Sequence, residues 1–110
     1  MNHSRTGGVL LHLSSLNGPF GVGVMGKEAY AFADKLQRTG FKLWQMLPLC
    51  PVDHTGSPYC SVSAFAGNIS FIDPRLLKED GLVTDEEVGE NEFSGSPYIA
   101  DQKFAHEKRL

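Results

Sequence analysis

The sequence GVLLHLSSLNGPFGVGVMGKEAYAFADKLQRTGFKLWQMLPL, residues 8–49, decides the fold. It places two short apolar runs, residues 8–13 and 42–49, on either side of a segment with helical periodicity, residues 27–39. Gly40 follows that segment as a left-handed helix end. Apolar residues recur in it at the i, i+3, i+4 and i+7 spacing of one helix face: Ala29, Phe32, Ala33 and Leu36. Because runs this apolar are typical of parallel strands covered by helices, the stretch predicts a right-handed βαβ unit.

The connections that follow the two predicted strands are long. A βα loop usually has roughly 2 to 6 residues, yet residues 14–26 precede the helix and residues 50–75 follow the second strand. Both loops leave the carboxyl ends of parallel strands, so they emerge at the sheet edge where α/β proteins bind ligands. We expect the two loops to converge on one site.

The first loop ends in GVGVMG, residues 21–26, which fits the G-x-G-x-x-G pattern of dinucleotide-binding proteins. That pattern binds a pyrophosphate when it lies directly between a strand and a helix, with a carboxylate about 20 residues further on. Here the turn Asn17-Gly18-Pro19 separates the pattern from the apolar run, and residues 41–46 contain no carboxylate. We therefore interpret these glycines as hinges of a long loop.

Composition restricts the class of partner. The 110 residues carry a formal net charge of −3 and no cluster of Lys or Arg, which argues against nucleic acid because its phosphates bind clustered cations. No apolar stretch approaches the roughly 20 residues that span a bilayer, and the start MNHSRTGG lacks signal-peptide features. We expect a cytoplasmic protein without a membrane partner, and the sequence leaves the oligomeric state open.

A metal site receives little support from the sequence. Cys50, His54 and Cys60 are close in sequence, but they lack the paired C-x2-C element and the fourth ligand of typical zinc sites. We expect no metal and reduced thiols.

The second half of the chain predicts short helices. Residues 71–77, FIDPRLL, indicate an extended piece followed by a helical turn, and Thr84 with Glu87 fits a capping box. Ser96 and Pro97 fit the N-cap and first position of a helix that shows no stop signal at Leu110. Since two parallel strands and one helix cannot cover both faces of a sheet, we expect the opening of a larger α/β protein.

The second loop contains GSPYCSVSAFAGN, residues 56–68, whose side chains are neutral. Sugars are bound by mixtures of hydroxyls, amides and aromatic rings such as those of Ser57, Ser61, Ser63, Asn68, Tyr59 and Phe65. Composition alone favours a structural interpretation, in which the serines bond to backbone and the rings fill a local core. The motif GSPY recurs at residues 95–98, but four residues do not establish a duplication.

Three blocks of this sequence resemble one known family. In order and spacing, GVLLHLSSLNGPFGVGVMGKEAYAFADKL, LWQMLPLCP and SPYCSVSAFAGN closely resemble the start of the 4-α-glucanotransferases of the amylomaltase or disproportionating-enzyme family, over residues 5–83. The resemblance implies the opening βα units of a (β/α)8 TIM barrel of the α-amylase clan. Residues 1–110 would form an incomplete, N-terminal part of that catalytic barrel, without metal or organic cofactor.

The same resemblance implies an activity. Family members transfer an α-1,4-glucan segment between maltooligosaccharides, or to glucose as acceptor, with retention of configuration. Retention requires a carboxylate nucleophile and an acid/base carboxyl about 5 Å apart. None of the family's catalytic carboxylates matches a position in this sequence, so we expect residues 1–110 to be inactive alone.

The resemblance assigns substrate contact to Ser57 and Tyr59, with Pro58 holding the turn between them. It treats Trp44 and Gln45 as structural residues of a barrel strand. The alternative hypothesis is a non-catalytic carbohydrate-binding or interaction module that uses the same loop.

Overall fold

A computed structural model describes residues 5–53, 55, 57, 59, 61, 63, 65–96 and 98–110 of the chain. Its strands and α-helices are, in chain order, β1 (Gly8–Leu10), α1 (Lys27–Arg38), β2 (Leu43–Gln45), α2 (Pro74–Glu79), α3 (Asp85–Glu90) and α4 (Gln102–Arg109). Two single-turn 3-10 helices, Leu13–Ser15 and Ile69–Phe71, lie in the connections that follow β1 and β2.

The predicted βαβ unit is present. Strands β1 and β2 pair in parallel, with Val9 opposite Trp44, and α1 connects them. Both strands are shorter than the apolar runs that predicted them. On the β1 side, the His12 side chain caps the 3-10 helix Leu13–Ser15 by accepting the Ser14 N–H, which turns the chain out of the extended conformation.

Helix α1 ends as the sequence predicts. Gly40 has a φ of +87°, and the following N–H, that of Phe41, donates to the Leu36 carbonyl at 3.0 Å. This is the helix end that glycine favours, because an L side chain is strained at such a φ. Leu36 is buried as expected, whereas Ala33 is exposed. The buried face of α1 is therefore narrower than the spacing of its apolar residues predicts.

One face of the two-stranded sheet packs against α1, and the other is exposed. Trp44 contacts the ring of Phe32 on α1 edge-on, with 4.8 Å between ring centroids. Leu10 and Leu43, which alternate with the covered positions, are 59% and 57% exposed. The described residues therefore cover one face of strands whose apolar character is typical of sheets covered on both faces.

The largest core cluster lies where β1 ends. Its buried members come from the 3-10 helices, the first loop, α1 and α4: Leu13, Leu16, Val22, Ala29, Phe71 and Ala105. Leu13 and Ala105 are fully buried. Both long loops and the last helix thus contribute side chains to one core instead of extending into solvent.

Helix α4 begins later than the sequence predicts, so the prediction of Ser96 as its N-cap is wrong. The helix begins at Gln102, and Asp101 is its N-cap, accepting the Phe104 N–H at 2.9 Å. Ser96 instead accepts the Tyr98 N–H at 3.3 Å in a separate turn, and Pro97 lies outside the described residues. The physical reason is tertiary: the Asp101 N–H donates to the Gly21 carbonyl at 2.6 Å, which holds the helix start against the first loop.

The other two predictions for the second half are confirmed. Thr84 and Glu87 form the capping box of α3, with each side chain accepting the other's backbone N–H. Ile72 and Asp73 are extended, and α2 follows from Pro74. The 3-10 helix Ile69–Phe71 was not predicted, because a single turn leaves too little periodicity to detect.

Arg75 connects the amino-terminal ends of α1 and α2. Its guanidinium donates to both carboxylate oxygens of Glu28, at 3.0 and 2.6 Å, and to Asp73 at 2.7 Å. The Asp73 side chain is 2% exposed and also caps α2 by accepting the Arg75 N–H. Arg75 and Arg109 lie over the buried ring of Phe20, at 5.0 and 5.4 Å from its centroid. Two charged side chains are therefore held against the loop that precedes α1.

The Arg75–Glu28 pair predicts a dependence of stability on acid pH. Hydrogen bonds from Arg75 and its charge lower the pKa of Glu28 below its ordinary value of 4.5. A carboxyl with a lowered folded pKa stabilises the fold above its unfolded pKa, and the stabilisation is lost as pH falls through the folded pKa. We expect Glu28→Gln to lower the thermal unfolding midpoint at neutral pH, and this difference from the wild type to shrink below about pH 4.5.

The matched control is Glu79→Gln, which removes the same charge from an exposed position on α2. Its unfolding midpoint should stay close to that of the wild type across the same pH range. A Glu28→Gln deficit that is equally large at acid and neutral pH would contradict the assignment.

Candidate functional site

Side chains at the carboxyl ends of the strands fix where both loops begin. Trp44 donates its indole N–H to the Leu11 carbonyl at 2.7 Å, which joins β2 to the chain leaving β1. His12 donates from Nε2 to the Pro48 carbonyl at 3.1 Å, while its Nδ1 accepts the Ser14 N–H at 3.2 Å. The exits of both strands are thus held together by side-chain bonds after the backbone ladder has ended.

The two long loops meet, as their shared sheet edge predicts. The Met25 N–H at the end of the first loop donates to the Phe71 carbonyl in the second at 2.8 Å. The Phe71 ring lies 5.6 Å from the His12 ring, centroid to centroid. The meeting point is in the last part of the second loop, which follows the GSPY segment.

A series of side-chain turns shapes the second loop. Asp53 accepts the Thr55 N–H at 2.9 Å, Thr55 accepts the Ser57 N–H at 3.4 Å, and Ser57 accepts the Tyr59 N–H at 3.3 Å. Each acceptor is the oxygen of a side chain two residues before the donor, the pattern of Asx and ST turns. Ser61 and Ser63 repeat it further along the loop. The serines therefore set the backbone path, as the structural interpretation of this loop requires.

The aromatic rings of the loop do not follow that structural interpretation. Tyr59 is 72% exposed and Phe65 is completely exposed, so neither ring fills a local core. Ser57 accepts one backbone bond through its oxygen, and the same hydroxyl retains a proton that can be donated. The loop thus has a backbone fixed by hydroxyls together with outward-facing rings.

Asn68 has a role that the sequence did not indicate. Its amide nitrogen donates to the Cys50 carbonyl at 3.5 Å, and its Oδ1 accepts the Ser70 N–H at 2.9 Å. It closes the base of the loop and caps the 3-10 helix that follows. The sequence suggested Asn68 as a sugar-binding amide, because an exposed binding amide and a loop-closing amide look alike in sequence.

A hollow of about 350 Å³, with both apolar and polar groups in its lining, borders the same loop base. It lies between the two ends of the loop and one face of α4, and its lining includes Asp53, Asn68, Lys103, His106 and Glu107. Carboxylate, amide and ammonium groups around one hollow can exchange hydrogen bonds with a ligand rich in hydroxyls.

The GVGVMG glycines serve packing. A Cβ on Gly23 would overlap the Leu13 carbonyl oxygen, and one on Gly26 would overlap the Asp73 carboxylate. The N–H groups of Gly23 and Gly26 donate to the carbonyls of Ser14 and Val24, at 3.1 and 2.9 Å. Since a dinucleotide site needs such N–H groups directed at the pyrophosphate, this geometry supports the interpretation as a loop.

The described residues meet neither the requirements of a metal site nor those of a membrane-spanning helix. Among the described residues, no group of three or more His, Cys, Asp or Glu side chains is arranged to hold a metal ion. His54 and Cys60 of the candidate metal cluster lie outside those residues, as does Pro58 of the SPY turn. None of the helices in the described ranges is long and apolar enough to cross a membrane.

A parallel βαβ unit with long loops meeting at its carboxyl edge is the architecture of α/β proteins, a class whose ligand sites lie at that edge. The family model described as 4-α-glucanotransferase matches residues 11–109, so the chain belongs to that family, glycoside hydrolase family 77. The structure also superposes on the amylomaltase of Streptococcus agalactiae, solved in complex with acarbose, with a TM-score of 0.88 and 42% identity over 96% of this chain. Its fold is that of the opening βα units of a (β/α)8 barrel.

Relatives from distant organisms agree with this membership. The 4-α-glucanotransferase of Aquifex aeolicus is 49% identical over 86 residues, which are 76% of this chain and 18% of the relative. A chloroplastic/amyloplastic 4-α-glucanotransferase of Arabidopsis thaliana is 46% identical over 84 residues, 76% of this chain and 15% of the relative. The superposition likewise covers 21% of the amylomaltase chain. The chain thus spans less than a quarter of the proteins it matches.

The packing of GVGVMG predicts a position-specific effect of alanine. Gly23→Ala should lower the free energy of unfolding by about 1–3 kcal/mol, because the new methyl group meets a backbone carbonyl. Gly18→Ala in the same loop is the control, since nothing lies within 4 Å of its Cβ position. Its stability should change by about 0.5 kcal/mol or less in urea titrations. Equal stability of the two variants would contradict the packing account.

Proposed function

We propose that residues 1–110 form the N-terminal part of the catalytic (β/α)8 barrel of a 4-α-glucanotransferase, with loops 14–26 and 50–75 at its sugar-binding edge. The observation that carries the proposal is the family match over residues 11–109. The meeting of both loops at the carboxyl edge supports it, because barrel enzymes bind substrate there.

The proposed reaction is a double displacement on an α-1,4-glucan. A carboxylate attacks the anomeric carbon while a second carboxyl protonates the departing glycosidic oxygen, which leaves a glycosyl-enzyme. The 4-hydroxyl of another maltooligosaccharide, or of glucose, then attacks that carbon and gives its proton to the second carboxyl. Both carboxylates belong to the part of the enzyme outside this chain, so these residues contribute substrate contacts and not the reacting groups.

Within this chain, we assign substrate contact to Ser57 and Tyr59. Ser57 would donate its hydroxyl proton to a sugar oxygen while its oxygen keeps the Tyr59 N–H. Tyr59, 72% exposed, would offer a ring face to sugar C–H groups and a phenol to a hydroxyl. The hollow at the loop base, whose lining includes Asp53 and Asn68, is compatible with a ligand of this chemistry.

The cellular setting is also part of the proposal. A cytoplasmic location is supported by composition and by the small number of cysteines, two in 110 residues. The resemblance to the family implies a reaction without organic cofactor or metal, in which carboxyl groups carry out both steps.

A grafted enzyme tests the activity directly. In this grafted enzyme, the present chain replaces the segment that it matches in the Streptococcus agalactiae amylomaltase, where the superposition covers 96% of the chain. We expect it to convert maltotriose into glucose and longer maltooligosaccharides with α-configuration, measured by chromatography and NMR. A folded grafted enzyme that transfers no glucan, under conditions in which the unaltered amylomaltase is active, would contradict the proposed function.

The assigned contacts predict a loss of affinity. In the grafted enzyme, Tyr59→Ala should raise the KM for maltotriose about tenfold, equivalent to about 1.4 kcal/mol of lost contact. Ser57→Ala should raise it about fivefold through one lost hydrogen bond. Tyr30→Ala, which removes a ring 62% exposed on α1, is the control and should leave KM unchanged. If the control and Tyr59→Ala have equal KM values, the assignment of Tyr59 is wrong.

A further inference from the structure

We infer that His12 is a positioning residue for the glucan-contacting loop. Its imidazole holds the carbonyl of Pro48, and through it the start of the segment that carries Ser57 and Tyr59. The inference rests on the proposed function, because positioning matters only if this loop contacts substrate.

Both nitrogens of His12 are engaged in ways that define its orientation. Nε2 carries the proton, since the Pro48 carbonyl can only accept. Nδ1 therefore accepts, from the Ser14 N–H at 3.2 Å and the Ser14 hydroxyl at 2.7 Å. The residue is 8% exposed and its ring packs at a 58° tilt against Phe71. One tautomer in one orientation thus joins the exit of β1 to the chain beyond β2.

The His12 bond to the Pro48 carbonyl holds the chain at a point beyond the last hydrogen bond of the parallel ladder. The parallel ladder extends to the Gln45 carbonyl, which accepts the Leu11 N–H at 3.0 Å. Pro48 and Pro51 have no N–H to donate, so their carbonyls are the backbone hydrogen-bonding groups that remain at these two positions. His12 bonds the carbonyl of Pro48, and Asn68 bonds that of Cys50 two residues later. Two side chains thereby hold the base of the loop.

The position of that base reaches the substrate residues through consecutive turns. Asp53, Thr55 and Ser57 each accept the N–H two residues ahead, ending at Tyr59. Because each turn fixes the next, a displaced base displaces the Ser57 hydroxyl and the Tyr59 ring. Displacements of about 1 Å in groups that hold a substrate cost large factors in catalysis.

Two substitutions separate this role from capping the adjacent 3-10 helix. His12→Gln places an amide N–H where Nε2 lies and can donate to Pro48. His12→Asn places an oxygen where Nδ1 lies and keeps the cap to Ser14, but it is too short to reach Pro48. In the grafted enzyme, we expect His12→Asn to raise the KM for maltotriose about tenfold, equivalent to about 1.4 kcal/mol, with kcat less affected. His12→Gln should remain within about threefold of the wild type in KM. The opposite order would show that the cap matters and would overturn the inference.

A second measurement does not depend on activity. In ¹H–¹⁵N spectra of the 110-residue chain, His12→Asn should shift the amide resonances of Ser57 and Tyr59, whereas His12→Gln should leave them near their wild-type positions. Unchanged resonances of both residues in His12→Asn would refute the positioning role. An inactive wild-type grafted enzyme together with the expected shifts would instead show that the geometry is right and the proposed function is wrong.

Discussion

The parallel pairing of β1 with β2 is the constraint on which the rest of this structure depends. With Val9 opposite Trp44 in the same direction, the chain must cross over through α1, and both strands must end at the same edge. The two long loops therefore begin close together. Bonds from Trp44 to Leu11 and from His12 to Pro48 extend this link beyond the ladder. Strand direction alone thus places both loops at the sheet edge where α/β proteins bind ligands.

The loops are packed parts of the fold. Phe71 from the second loop shares a core with Leu13 and Ala105, while the Asp73 carboxylate occupies the space left by the absent side chain of Gly26. Burial lowers the pKa of Arg109 to about 10, and this cation, at the end of α4, lies over Phe20 of the first loop. In this arrangement, the later part of the second loop is anchored, and the segment carrying Ser57 and Tyr59 extends from a fixed base. If this segment contacts substrate as proposed, the rigid support beneath it is favourable, because less ordering is needed on binding.

The sequence predicted those features whose signals are local. Apolar spacing predicted α1, glycine its end at Gly40, and the Thr84–Glu87 pair the start of α3. The prediction that α4 begins after Ser96 was wrong. Ser96 and Asp101 are both acceptable N-caps, and a tertiary hydrogen bond from the Asp101 N–H to the Gly21 carbonyl decides between them.

The candidate site shows the same limit. The loop with Ser57 and Tyr59 was identified through a resemblance and composition, whereas the roles of His12 and Asn68 depend on carbonyls 36 and 18 residues away. Such long-range bonds have no periodicity to reveal them in sequence. The assignment of Ser57 and Tyr59 to substrate stays a prediction, and that of Pro58 lies outside the described residues.

The most direct test of this account is a crystal structure of the grafted enzyme with acarbose bound, the ligand of the solved Streptococcus agalactiae complex. We expect the Ser57 hydroxyl within hydrogen-bonding distance, about 2.5–3.0 Å, of a saccharide oxygen, and the Tyr59 ring or phenol in contact with the same saccharide. His12 should still donate to the Pro48 carbonyl in that complex. Acarbose bound at the carboxyl edge of the barrel without contact to either Ser57 or Tyr59 would contradict the central claim.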